Sequence, residues 1–277
     1  GVLRNEVAYY KLVSALSIDS CLMYINKYPN SDFIQNVFNI RDSLEFEKAK
    51  KINSFESYKK YLQYYPVSKY SQKAADEYIQ KSFEKAQERN SIEEYQSFIN
   101  KYSFSDLSRN AIRSRTALMF EEIKLTNTID AYNQFMMMYP DFSKINEVVQ
   151  KRNERAFSSE ESKQTPESYQ VFIDTYPTSS LTVKAIKSRD SLVFEMAKKY
   201  NTVEAFNQFV NLYPYAANKE EAKKLREQIA FKEANLKNTK EAYLRFLELY
   251  PNSPNYNAIN EKLKLLEKKG YSLISIL

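Results

Sequence analysis

The amino-acid sequence predicts an all-α fold: a right-handed superhelical α-solenoid of about seven helix-turn-helix repeats with a 37-residue period, spanning residues 1–270. Three observations carry that expectation. First, tyrosine recurs on one register at Tyr28, Tyr65, Tyr102, Tyr139, Tyr176, Tyr213 and Tyr250, and proline follows each of them except in Tyr102-Ser103. Second, aromatic and small residues keep the same phase along the chain. Third, glycine occurs only at Gly1 and Gly270 and proline only eight times, too little turn chemistry for an all-β protein.

The chain opens inside a repeat, because residues from Val2 onward align with the middle of a long helix, with Tyr9 on its aromatic column. In each later repeat a serine after the Tyr-Pro pair, such as Ser31, Ser68, Ser105 or Ser253, suits the N-cap of a long helix of about 20 residues, with Pro254 at N1. That helix carries Phe46, Phe83, Phe120, Phe157, Phe194 or Phe231. Its small position, Ala74, Ala111, Ala185 or Ala222 with Val37 and Val148 as replacements, suits close helix–helix approach. It ends near Asn53, Asn90, Asn127, Asn201 and Asn238. Ser54, Ser91, Thr128, Thr165, Thr202 and Thr239 then cap a shorter helix, with Pro166 at N1 of one of them.

Acids in the first turn of the shorter helix, Glu56, Glu93, Asp130, Glu167, Glu204 and Glu241, favour the positive end of its dipole. Aromatic pairs at i and i+3 mark its buried face: Tyr58 with Tyr61, Tyr95 with Phe98, Tyr132 with Phe135, Tyr169 with Phe172, Phe206 with Phe209, and Tyr243 with Phe246. The next Tyr-Pro closes it. A single hairpin cannot enclose such a stripe, so each must stack on its neighbours.

These residues resemble the tetratricopeptide-like repeats. The stretch Thr239 to Pro251, TKEAYLRFLELYP, looks like the second helix of such a repeat, and the Tyr-Pro-x-Ser junction is most similar to bacterial envelope members, among them an outer-membrane assembly lipoprotein and a Tol-Pal accessory protein. The period here is 37 residues, the first helix is longer than the family's, and the family's usual glycine is missing from it. The resemblance implies a protein-interaction surface within a multi-protein assembly, in a periplasmic or outer-membrane-anchored setting.

Composition narrows the chemistry. The chain has no histidine, the usual general base near neutral pH and a common metal ligand, and its single cysteine, Cys21, excludes an intramolecular disulfide or a thiolate metal cluster. No Gly-rich phosphate loop or nucleophile arrangement is present, and adjacent acids such as Glu121 with Glu122 or Glu220 with Glu221 diverge by about 100° on a helix. The expectation is a non-enzyme without cofactor or metal. A net charge of +6 arises from 41 basic and 35 acidic residues that interleave throughout, which argues against nucleic acid as the partner. No run approaches the ~20 apolar residues of a membrane span.

Arg41, Arg115, Arg152, Arg189 and Arg226 share one repeat position, with Tyr78 taking it once, and form the candidate binding site. Such a ladder suits bidentate capture of acidic peptide or phosphate, or else pairing with recurring carboxylates such as the helix-start acids, tying adjacent helices together. Aromatics off the columns, Tyr10, Tyr70, Tyr78, Tyr200, Tyr215 and Tyr256, are candidates for partner contact, whereas column aromatics read as core. Met136, Met137 and Met138 cannot all face one way, so at least one is expected on the surface, and Cys21 lies on the aromatic column as a small buried residue. Gly270 suits a helix C-cap, with the apolar tail 271–277 as the possible start of a further domain. A scaffold that holds a protein or peptide partner is the leading functional expectation; the alternatives are a nucleic-acid-binding repeat and an architectural spacer.

Overall fold

The structure is a computed structural model that describes the backbone of residues 2–274 and the side chains of residues 4–268. Its described residues form fifteen helices, long alternating with short, grouped in two compact units. The first unit, residues 1–126 with 139–143, contains α1 (Val2–Ala15), α2 (Ile18–Lys27), α3 (Ile34–Ile52), α4 (Phe55–Tyr64), α5 (Ser71–Arg89), α6 (Ile92–Lys101) and α7 (Asp106–Thr126). The second, residues 127–138 with 144–277, contains α8 (Ile129–Met138), α9 (Ile145–Glu161), α10 (Pro166–Thr175), α11 (Thr182–Tyr200), α12 (Val203–Leu212), α13 (Lys219–Lys237), α14 (Lys240–Leu249) and α15 (Tyr256–Ile274). Each unit is an α-solenoid in which a short helix lies against the long helices before and after it, as α4 does with α3 and α5, and α10 with α9 and α11.

The repeat columns become the core. In one hairpin Phe46, Ala49, Tyr58 and Tyr61 enclose Ala74 of the following long helix, and Phe194, Ala197, Phe206 and Phe209 do the same around Ala222. Ala74, Ala111, Ala185 and Ala222, with Val37 and Val148, are wholly enclosed, because a larger side chain there would hold the next helix away. Enclosing each of these aromatic rings contributes about 2–3 kcal/mol. Cys21 fills the ring position of the opening hairpin and is fully buried; burial pushes its thiol up.

A left-handed residue turns every long helix into the following short one. Asn53, Asn90, Asn127, Asn201 and Asn238 adopt φ between 45° and 52°, and Leu16 and Gln164 hold the same place. Asparagine tolerates this region better than most residues. A second interaction secures it: the hydroxyls of Tyr58, Tyr95, Tyr132 and Tyr243 donate to the Oδ1 atoms of Asn53, Asn90, Asn127 and Asn238 at 2.9–3.2 Å. The next residue then caps the short helix. Ser54, Ser91, Thr128, Thr165, Thr202 and Thr239 each accept from the backbone N–H three residues on, at 3.1–3.3 Å.

Three sequence expectations change. Ser31, Ser68 and Ser253 do not adjoin the long helices: each caps a lead-in turn, accepting from the N–H two residues on at 3.0–3.2 Å. The helices proper begin at Ile34, Ser71 and Tyr256. Only Ser105 among the four named serines stands directly before its helix, and Pro254 lies in the lead-in turn rather than at N1. The rest of each repeat turns through i→i+3 backbone bonds, such as Ile34 N–H to Ser31 carbonyl at 3.0 Å, which satisfy the donors a cap would otherwise serve. The last long helix runs through Gly270 to Ile274 instead of stopping there. Glycine in a helix costs about 1 kcal/mol, and the helix-compatible residues around it carry the turn onward. The remainder of the expected tail, residues 275–277, lies outside the described residues.

Candidate functional site

The arginine column is built into the packing. Each arginine rises from a long helix and is held by the residue that follows it, by the preceding short helix, or by the tyrosine that ends the following short helix. Arg189 on α11 shows all three: Nε and Nη2 donate to Asp190 Oδ1 at 2.9 and 2.7 Å, Nη1 donates to Gln170 Oε1 on α10 at 2.6 Å, and the guanidinium lies 5.0 Å from the Tyr213 ring. Arg152 repeats the pattern with Asn153 at 3.2 and 3.0 Å, Asn133 at 3.4 Å and the Tyr176 ring at 5.1 Å. Arg41 pairs with Asp42 at 3.0 and 2.7 Å and covers Phe38 and Tyr65, and lacks the short-helix contact because Leu22 stands where an amide would be.

Arg115 and Arg226 reach back in the same way, to Gln96 and to Asn207, and Arg226 also lies 5.7 Å from the Tyr250 ring. They are followed by Thr116 and by Glu227, whose carboxylate accepts from Ser253 at 2.5 Å. Their Nε atoms are accordingly buried without a hydrogen-bond partner. The hydrogen-bond partners are thus not the helix-start acids, which lie one turn before these amides on the short helix. The signal for the true partners is in the sequence, in the Asp or Asn directly after three of the arginines and the Gln or Asn column nineteen residues before four of them. Arg4 also falls on this column, in the opening partial repeat.

Tyr78 replaces arginine on α5 and packs on the rings of Phe55 and Tyr102. Burial raises its hydroxyl above the ordinary tyrosine range, and its hydrogen bond with Tyr102 adds to the rise. At Tyr102 burial acts in the same sense, but hydrogen bonds from Ser82 and Lys101 outweigh it and the hydroxyl is lowered.

Beside this column three hairpins have a groove between their long and short helices, at equivalent repeat positions. Between α3 and α4 the groove encloses about 330 Å³, walled by Glu45, Lys48 and Ile52 on one side and Ser57, Lys60 and Tyr64 on the other. Ala49, Tyr61 and Tyr65 form its floor and end. One repeat on, between α5 and α6, about 200 Å³ is walled by Lys85, Arg89, Glu94 and Lys101 over Ala86, Phe98 and Tyr102, with Phe55 of α4 closing one side. In the second unit about 290 Å³ lies between α13 and α14, walled by Glu233, Lys237, Arg245 and Leu249 over Ala234, Phe246 and Tyr250. Arg226 and Asn207 extend that groove onto α12. The floor recurs as alanine, an aromatic ring and the junction tyrosine, while the walls change from repeat to repeat.

The other candidates sort by exposure. Tyr10, Tyr200 and Tyr215 are exposed, whereas Tyr70 stacks on Phe46 at 5.1 Å and Tyr256 is half-buried. Met137 and Met138 are exposed and Met136 is half-buried. Glu121 and Glu220 form surface ion pairs with Lys124 at 2.6 Å and Lys223 at 2.7 Å. The wall residues Ile52, Tyr64 and Leu249 were not singled out by sequence; their signal is variation at positions that flank invariant columns.

Among the described residues no group of three or more His, Cys, Asp or Glu side chains could hold a metal ion, and no helix is long and apolar enough to cross a membrane. No family model and no curated protein sequence matches the chain.

Proposed function

We propose that this chain is a tetratricopeptide-like, non-catalytic scaffold that holds a protein partner in its hairpin grooves. The observation that supports this reading is the division of labour within each groove: the floor of alanine, ring and junction tyrosine recurs, and the walls vary. A frame kept constant with changing side chains along its openings is what a repeat binding surface requires. The arginine column belongs to the frame in this reading, since its donors are directed to neighbouring helices. The Tyr-Pro-x-Ser junctions favour a bacterial envelope assembly as the setting.

A photo-crosslinking residue placed at Tyr64 or Leu249, both exposed groove positions, tests this in the cells from which the chain comes, with Val183, exposed outside the grooves, as reference. Discrete protein adducts from the two groove positions and none from Val183 are expected. The same pattern from all three, or no adduct, would overturn the reading in favour of a spacer.

A further inference from the structure

Across the two neighbouring grooves of the first unit cations outnumber carboxylates. Their walls carry Lys48, Lys60, Lys85, Arg89 and Lys101 against two carboxylates, Glu45 and Glu94. Those two are already engaged: Glu45 lies 3.9 Å from Lys48, and Glu94 is held by Arg89. Lys85 instead sits 5.0 Å from the Phe55 ring and Lys101 5.1 Å from the Tyr102 ring. The α13–α14 groove of the second unit, with Arg226, Lys237 and Arg245 against Glu204 and Glu233, has an excess of one cation, as the α3–α4 groove has alone; the adjoining α5–α6 groove, with three cations against one carboxylate, raises the excess of the first-unit pair.

From this geometry we infer that the first-unit grooves bind an acidic segment of a partner protein in which carboxylates alternate with apolar side chains. The inference rests on the scaffold reading and adds the chemistry of the partner. Ammonium groups that lie over rings remain available to a carboxylate, since the ring occupies one side only. Apolar side chains of the segment have matching surface in Ile52 and Tyr64, 59% and 63% exposed on the walls of the first groove. Helix α4 contributes Lys60 and Tyr64 to one groove and Phe55 to the other, so a single segment crossing α4 engages both. The observations favour peptide over nucleic acid. Each groove keeps a wall carboxylate, which would repel an evenly charged phosphate chain, whereas a peptide can place its acids only where cations stand.

The test uses the whole chain to select from a displayed library of random short peptides, alongside a labelled oligo-dT strand in a separate binding measurement. The selection is repeated on a variant carrying Lys48→Glu, Lys60→Glu, Lys85→Glu and Lys101→Glu, and on a control with Lys73→Glu and Arg113→Glu, exposed residues outside the grooves. Both variants are checked for an unchanged helical spectrum and melting temperature. Selected peptides rich in Asp or Glu with interspersed apolar residues are expected, binding the groove variant about tenfold or more weakly and the control within about twofold. Peptides that lack acids, or that bind the groove variant unchanged, would overturn the groove assignment and leave the scaffold reading standing. Tight oligo-dT binding without peptide selection, or no selection at all, would overturn both.

Discussion

Replacing Asp190 with alanine removes the carboxylate paired with Arg189 while leaving that arginine pinned. Its Nε and Nη2 lose the acceptor they share at 2.9 and 2.7 Å, yet the Gln170 bond and the Tyr213 ring hold the guanidinium in place. The two side chains are 16% and 9% exposed, so water replaces the lost partner poorly. Breaking a buried pair from one side costs about 3–5 kcal/mol, and the residual exposure puts this case at the lower end, about 3 kcal/mol. Asp190→Asn is the informative companion. Asn153 shows that an amide oxygen at this position still accepts from its arginine at 3.2 and 3.0 Å, so only the charge is lost, at about 1 kcal/mol. Urea denaturation followed by far-ultraviolet circular dichroism gives both midpoints, and amide hydrogen exchange locates the loss, expected in α10 to α12. Equal losses for the two substitutions, or less than about 1 kcal/mol for alanine, would refute the view that these arginines tie successive helices together.

The same reasoning runs in reverse at Thr116→Asp, which supplies Arg115 Nε with the acceptor that Asp42 and Asp190 give their neighbours; a gain of about 1 kcal/mol in the urea midpoint is expected. Asn53→Ala removes the short polar side chain that makes a left-handed site tolerable and takes the acceptor from Tyr58, at a combined cost of about 2 kcal/mol measured by the same denaturation. Ala111→Leu forces a branched side chain into a fully enclosed site between helices and should cost about 3 kcal/mol, with the melting temperature as the readout. Stability should fall on the alkaline side. Burial raises Tyr58, Tyr61, Tyr65 and Tyr250 in the folded chain, so the unfolded chain releases its phenolic protons first, and stability present below pH ~10 is lost as pH rises toward the folded values. Thermal melts from neutral to alkaline pH check this; a midpoint that does not fall above pH ~10 would contradict the assigned burial.

The frame was legible because it repeats. Left-handed asparagines, short-helix caps, aromatic pairs and small positions each stand on a fixed column, and the physics that selects them acts within a few residues. The lead-in turns after Tyr-Pro were less so. A serine hydroxyl serves a turn as well as a helix start, and Ser105 makes the same hydroxyl and backbone bonds as Ser31, so the local chemistry alone does not tell them apart. The arginine column was visible, with acid or phosphate capture and pairing with carboxylates such as the helix-start acids both open; the amides that accept, one turn further along the short helix, were not seen, because residues nineteen apart become neighbours only after the helices pack. Groove walls were hardest to see. They vary between repeats, and variation looks the same in a sequence whether a position faces plain solvent or a cavity.

Because within a unit a short helix packs chiefly on the long helices next to it in the chain, folding within a unit has little need of distant sequence. A hairpin can close once its own residues and those of the next long helix have left the ribosome, with Asn53 or Asn90 already turning the chain back and Tyr58 or Tyr95 latching the turn. Later helices then add to an existing face, one after another. Nascent aromatic stripes are therefore covered in the order in which they are made, which shortens the interval during which chaperones or aggregation compete for them.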